Sequence, residues 1–277
     1  MLFRSNIGLI FTTINEATSS RFFYETISGV NSAIKESYNL VVKGIDDYKN
    51  FISVNSKRFD GVILMSQSNS DNPFIYHLME KKMPLVVLNR YIDESSIVNI
   101  LSSDKKGVYE AVNYLIQNGH KNIAIIEGKK GFNSTIERKN GFLDALIDNK
   151  IKINSKYIVE GNYTIESGYT AMKKLLSLSK IPTAVFCSND EMAIGAMKAT
   201  SEAGLNVPKD ISIMGFDGMQ LGDYLTPALT TVRRPISEIS KKGAEKLLDI
   251  IENNIDSGEK IYISTELVKR DSVANLK

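Results

Sequence analysis

Seven short apolar runs punctuate the chain: IGLIF (7–11), NLVVKGI (39–45), GVILMS (61–66), LVVLNR (85–90), NIAIIEG (122–128), AVFCS (184–188) and ISIMGF (211–216). They are nearly continuous in apolar character, so they have no polar face to present to water. Strands of that kind belong in a parallel sheet covered on both sides. Amphipathic helical patterns separate them. Phe23, Ile27, Val30 and Ile34 recur at helical spacing, as do Val108, Ala111, Val112, Leu115 and Ile116 before the stop signal Asn118-Gly119. A helix over 189–203 ends at Gly204, with Pro208 just beyond. Alternation of strand and helix specifies an α/β fold with parallel sheets.

About six βα units fall into two comparable halves, 7–118 and 122–216. A length of 277 residues exceeds one domain of ~100–150. Two doubly wound sheets are therefore expected rather than one very wide one. The competing architecture is an eight-stranded barrel, disfavoured by the unlike halves and by the irregular stretch 217–235. Open α/β sheets hold ligands outside the carboxyl ends of their strands. That singles out Thr12, Thr13, Met65, Ser66, Asn89, Arg90, Asn189, Asp190 and Asp217.

Several kinds of chemistry are missing. The chain has no phosphate-cradling glycine loop and no nucleophile elbow. Two histidines, His77 and His120, and one cysteine cannot build a metal cluster from imidazole or thiolate ligands, and no cofactor is expected. His120, in NGHKN between a helix and a strand, reads as a turn residue rather than a catalyst. Cys187 ends a buried strand and reads as an inert core thiol. Carboxylate acid–base pairs stay open, because such pairs meet only in the fold.

The net charge of +2 comes from 34 basic and 32 acidic residues without a block of like charge, which leaves no basic stripe for gripping DNA. A single cysteine points to a reducing compartment. The start, MLFRSNIGLIFTTINE, lacks the pattern of a secretion signal, and no apolar run approaches the ~18 residues of a membrane span. The expectation is a cytoplasmic protein without a membrane partner. Its strand ends suit a neutral, hydroxyl-rich or amide-rich small molecule. Arg138 offers a rigid fork of donors, and Tyr163 and Phe23 offer aromatic faces.

From about Ile7 to Val273 the chain resembles the effector-binding core of the lactose-repressor/galactose-repressor family of bacterial transcription regulators. The matching stretches are IGLI, LIQNGHKNIAII (115–126), ERKNGF (137–142), VEGNYTIESGY (159–169), PTAVFCSNDEMAIGAMKA (182–199), GLNVPKDISIMGFDG (204–218), LTPALTTVRRP (225–235) and TELVKRDS (265–272). Any one is weak; eight in the family's order are specific. The resemblance implies a periplasmic-binding-protein-like fold of type I. Two doubly wound α/β subdomains would be joined by three crossovers, with the effector in the cleft between them. The expected boundaries are 1–102 plus 236–262 for the first subdomain and 103–235 plus 263–277 for the second.

By the same resemblance the effector would be met by Phe22 and Phe23, Asn89, Arg138 of R-x-x-G, Tyr163, Asn189 of the N-D pair and Asp217 of G-[FY]-D. Each has a plainer reading. Asn189 is a natural helix cap, unless Ser188 or Asp190 caps and leaves it to the ligand. Asp217-Gly218 is a natural turn pair, Arg138 a natural solvated helix residue, and Tyr163, Phe22 and Phe23 natural core packing. The chain also departs from the family. SSRFF (19–23) replaces S-N-P-F-F after a lengthened loop (11–21), SSDKKG (102–107) replaces D-N-x-x-G, and Arg234 replaces a glutamine. The departures bear on which ligand is bound; a sugar is favoured over a purine because Asn89, Arg138, Asn189 and Asp217 supply many hydroxyl partners.

The resemblance further implies a homodimer whose operator contacts are made by a helix-turn-helix headpiece of ~60 residues, expected to be missing from this chain. Two other functions compete. A solute-binding protein of a transport system would need export, and a sugar-acting α/β enzyme would need turnover.

Overall fold

The computed structural model describes residues 5–14, 20–34, 36, 38–48, 50–253 and 258–277. Part of the lengthened loop, 15–19, lies outside the described residues. In chain order the elements are β1 (Ser5–Phe11), α1 (Ser20–Ala33), β2 (Tyr38–Gly44), β3 (Gly61–Met65), α2 (Asn72–Glu80), β4 (Leu85–Leu88) and β5 (Val98–Ser102). There follow α3 (Asp104–Gln117), β6 (Ile123–Ile126), α4 (Asn133–Asp148), β7 (Ile158–Val159), α5 (Ile165–Leu176), β8 (Ala184–Cys187) and α6 (Asp190–Glu202). The last are β9 (Ser212–Asp217), β10 (Thr230–Arg233), α7 (Ile236–Asn253), β11 (Lys260–Ile263) and β12 (Glu266–Val268).

The chain divides into two compact units, Met1–Ser102 with Pro235–Ile263, and Ser103–Arg234 with Ser264–Lys277. It passes from one to the other three times. The first unit holds a six-stranded sheet in the order β2-β1-β3-β4-β5-β11, parallel throughout. The second holds β7-β6-β8-β9-β10-β12, parallel except for the antiparallel edge strand β12. In both, the first strand lies between the second and the third. Strand order therefore reverses beside β1 and beside β6, the two places where an open sheet leaves a crevice at its carboxyl edge.

Alternate residues of each strand enter opposite cores, which is why the runs are apolar throughout. Ile7, Leu9, Ile63, Val86 and Leu88 pack with α1 and α7 through Val30, Ile239 and Leu247, whereas Ile10, Val62, Leu64 and Val87 pack with α2 through Phe74 and Leu78. In the second unit Ala124, Ile126, Val185 and Ile213 face α5 and α6, and Ile123, Ile125, Phe186 and Met214 face α3 and α4.

The stretch 217–235, expected to be irregular, contains β10. Its Thr230 and Thr231 are fully buried, with polar atoms satisfied by Ser272 and Asp190. A four-residue strand built on buried threonines carries no apolar run to betray it. Strands β5, β7, β11 and β12 escape the seven runs for a similar reason, being short or partly polar.

Candidate functional site

The carboxyl edge of the second sheet gathers four of the expected effector residues. Arg138 stands on the second turn of α4 and is only 2% exposed. Its Nε donates to Asp104 Oδ2 at 2.8 Å, one terminal nitrogen donates to the Ser188 carbonyl, and the other reaches Asp217 Oδ1 at 3.4 Å. The guanidinium lies over the Phe216 ring, 3.8 Å from its centroid. It is therefore a buried, committed group and not a solvated helix residue. Burial by itself would lower its pKa, but the carboxylates of Asp104 and Asp217 prevail and hold it raised.

Asp104 is absent from the expected residues. It opens α3, where a carboxylate suits any helix N-terminus, so nothing local distinguishes it. In the fold its second oxygen lies 3.6 Å from Nε of Arg234, which is also buried. Two of the departures, SSDKKG and Arg234, thus meet in one ion network.

Asn189 is itself the cap of α6. Its Oδ1 accepts the Met192 N–H at 2.9 Å, and its Nδ2 donates to the Tyr163 carbonyl at 2.9 Å. The division of labour in which Ser188 or Asp190 caps does not occur. Asp190 is occupied elsewhere, accepting from Thr231 Oγ1 and from the Met219 N–H, which ties α6 to the segments after β9 and within β10. At the end of β9, Asp217 and Gly218 have φ of +102° and +71°. The turn reading holds, and the turned backbone also directs a side chain that is one-quarter exposed toward Arg138.

Tyr163 likewise has a left-handed backbone, φ +63°. Its hydroxyl lies 2.9 Å from both Ser134 Oγ and Thr135 Oγ1. Thr135 gives its proton to the Lys129 carbonyl, so Tyr163 donates to Thr135 and accepts from Ser134. Gly128 makes room for the ring, since a Cβ there would lie 2.0 Å from Tyr163 Cζ. Glu191, in the first turn of α6, has its pKa raised by burial and then by the Asp217 carboxylate.

The first unit has a strand-end cluster of its own. Thr12, Ser66 and Asn89 follow β1, β3 and β4, and their N–H groups bond Met65, Leu88 and Ile100 of the next strand. Asp71 accepts from Thr12 Oγ1 and Ser66 Oγ, both at 2.6 Å. The buried Arg90 donates to Ser66, Asn69 and Asn72. Asn89, with φ +73°, donates from Nδ2 to the Ser66 carbonyl. Phe22 and Phe23 begin α1 and pack on the core, Phe23 with its centroid 5.0 Å from that of Phe11. Phe22, Phe23 and Asn89 thus belong to the first unit, and Arg138, Tyr163, Asn189 and Asp217 to the second.

His120 is a buried structural residue. Its Nδ1 lies 3.0 Å from Thr183 Oγ1, and its Nε2 lies 3.2 Å from the Ala274 carbonyl, which can only accept, so Nε2 carries the proton. Burial lowers its pKa. Burial also raises the Cys187 thiol, as suits an inert core residue. Among the described residues no group of three or more His, Cys, Asp or Glu side chains is placed to hold a metal ion, and no helix is long and apolar enough to cross a membrane.

Comparison with known proteins adds the following. The periplasmic binding protein-like domain family matches residues 112–273. A probable HTH-type transcriptional repressor, ExuR of Bacillus subtilis, is 57% identical over 98% of this chain and 81% of its own length. The ribose operon repressor of Haemophilus influenzae is 35% identical over 98% of this chain and 82% of its own. A solved LacI family transcriptional regulator from Enterococcus faecium, with bound ribose, superposes with a TM-score of 0.87 at 27% identity, covering 99% of this chain and 100% of the other.

Proposed function

The chain belongs to the lactose-repressor/galactose-repressor (LacI) family of bacterial transcription regulators, and from that premise we propose that it senses a neutral, hydroxyl-rich small molecule, a sugar, through Arg138, Tyr163, Asn189 and Asp217. The observation that carries the choice of ligand class is the charge balance at the carboxyl edge of the second sheet. Five carboxylates, Asp104, Glu127, Asp190, Glu191 and Asp217, stand there against three cations, Arg138, Lys139 and Arg234. Each nitrogen of Arg138 already donates once to the protein, and its two remaining N–H groups are left for a ligand. Such an edge repels an anion and offers acceptors to hydroxyl protons.

The relatives support a regulator rather than an enzyme, and we read the chain as a sensor that returns its ligand unchanged. The regulator would work as a cytoplasmic homodimer. Effector binding would alter operator affinity through the family's helix-turn-helix headpiece. Control of that kind requires unequal effector affinity for two conformations.

Titration calorimetry with neutral mono- and disaccharides, sugar acids and purines tests the ligand class. Saturable binding of a neutral sugar is expected, weakened at least tenfold in Asp217→Asn, which keeps the side-chain shape and removes the charge. Recovery of the sugar unchanged is expected after incubation. Binding of a purine or sugar acid alone, sugar binding indifferent to Asp217→Asn, or turnover would overturn the reading.

A further inference from the structure

At the opposite end of the second sheet, beside the amino ends of β6 and β8, lies a groove of about 840 Å³. That volume falls within the ~300–1,000 Å³ of small-molecule sites. Lys121, Lys150, Lys152 and Lys180 line it, and no aspartate or glutamate does. All four lysines are exposed, and among the described residues none is held in an ion pair. The half-buried Asn122 adds an amide whose side chain has no hydrogen-bond partner among the described residues. His120 and Tyr157 are buried at the floor of the groove, and the Tyr157 hydroxyl donates to the Lys180 carbonyl at 3.0 Å.

These lysines also follow α3, α4 and α5, and a helix C-terminus by itself favours cations. Magnitudes decide. Three helix ends count for about half a negative charge each. Four ammonium groups exceed that sum and leave the groove positive. Lys150 also sits just past α4 with φ +55°, at a place where glycine is the favoured residue. Dipole compensation alone calls for no lysine in that strained position.

We propose that this groove is a second ligand site, for a small, multiply charged phosphate-bearing anion. Lysine supplies compact, mobile point charges suited to phosphate oxygens from several directions. A concave wall of one sign also concentrates such an anion from solution. The carboxyl edge of the same sheet is acidic and would exclude this ligand, so the two ends of one unit would select opposite chemistries.

The test titrates the whole chain with inorganic pyrophosphate at constant ionic strength, following the ring signals of its two histidines by NMR. His120 lies in the groove floor, and His77 is in the first unit. Saturable movement of His120 without His77 is expected, with a dissociation constant below ~1 mM. The triple variant Lys150→Ala, Lys152→Ala, Lys180→Ala should weaken binding at least tenfold. Removing equal charge elsewhere, with Lys173→Ala, Lys174→Ala, Lys198→Ala, should leave it unchanged. Sugar binding at the other edge should be intact in both variants, so this site and the effector reading can fail separately. A response that never saturates, equal loss in both triple variants, or binding of an acidic peptide in preference to pyrophosphate would overturn the proposal.

Discussion

Arg138 is one residue with three partners at once, contributed by α3, the end of β8 and the end of β9. Truncating it leaves the buried Asp104 carboxylate only the longer contact with Arg234, at 3.6 Å, and removing one member of a buried pair costs about 3–5 kcal/mol. Arg138→Ala should therefore lower the urea midpoint sharply, whereas Asp217→Asn, at a partly exposed position, should change stability by less than ~1 kcal/mol. Equal losses in the two variants would contradict the assignment of Asp104 as the principal partner. His120 gives a second prediction. Its pKa is depressed in the fold, so below the unfolded value of ~6.5 the unfolded chain takes up a proton that the native chain refuses. The stabilisation from neutral His120 is fully present above that pH and is lost as pH falls. Urea midpoints at pH 7.5 and 5.5 should show this extra loss in the parent and not in His120→Asn. The residue types at the candidate site were legible in the sequence, but their duties were not. Asn189 caps α6 while its amide also holds the Tyr163 carbonyl, and Asp104 looked like any acid in a first helical turn.

At the scale of elements, the run DEMAIGAMKATSE shows a helix adapted to a close neighbour. A Cβ at Gly195 would stand 1.9 Å from the Ile165 carbonyl oxygen, and one at Gly168 would stand 2.2 Å from that of Met192. Helices α5 and α6 thus approach backbone to backbone across their glycines. Gly195→Val should force them apart and cost about 1–3 kcal/mol or more. Since α5 follows Tyr163 and α6 follows Asn189, effector affinity should fall with stability. Thermal melts alongside calorimetry check both; a variant with the parent's melting temperature would show that the helices can separate freely. Helices and central strands were readable from local pattern because each buries a regular apolar face. The strand β12 was not, being a three-residue edge strand without a buried residue, and β10 was not, because its burial depends on partners distant in sequence. Thr230, for instance, accepts at Oγ1 from the Arg270 N–H.

For the whole molecule, the informative fact is that α7 and β11 belong to the first unit although 132 residues of the second, 103–234, precede them. Helix α7 covers β3, β4, β5 and α1 with Ile239, Ala244, Leu247 and Leu248. A fragment ending at residue 102 would expose that apolar face to water. It should lack a cooperative unfolding transition and bind a hydrophobic dye, and a fusion that restores 235–263 should recover the transition. A cooperative melt of 1–102 alone would show that α7 is dispensable.

The sequence by itself determined that sheets would be parallel and covered on both faces, because runs of valine, isoleucine and leucine leave no strand face for solvent. Its eight family stretches, in order, carried the membership that the relatives then established. Only the tertiary structure decided which charges meet. Arg138 finds Asp104, Ser188 and Asp217 at separations of 34, 50 and 79 residues. Those meetings depend on strand order and helix placement, which no local spacing encodes. The contrast between an acidic carboxyl edge and a lysine-lined groove at the other end of the same sheet arises in the same way. A near-neutral chain acquires regions of opposite sign when folding sorts its charges to different ends.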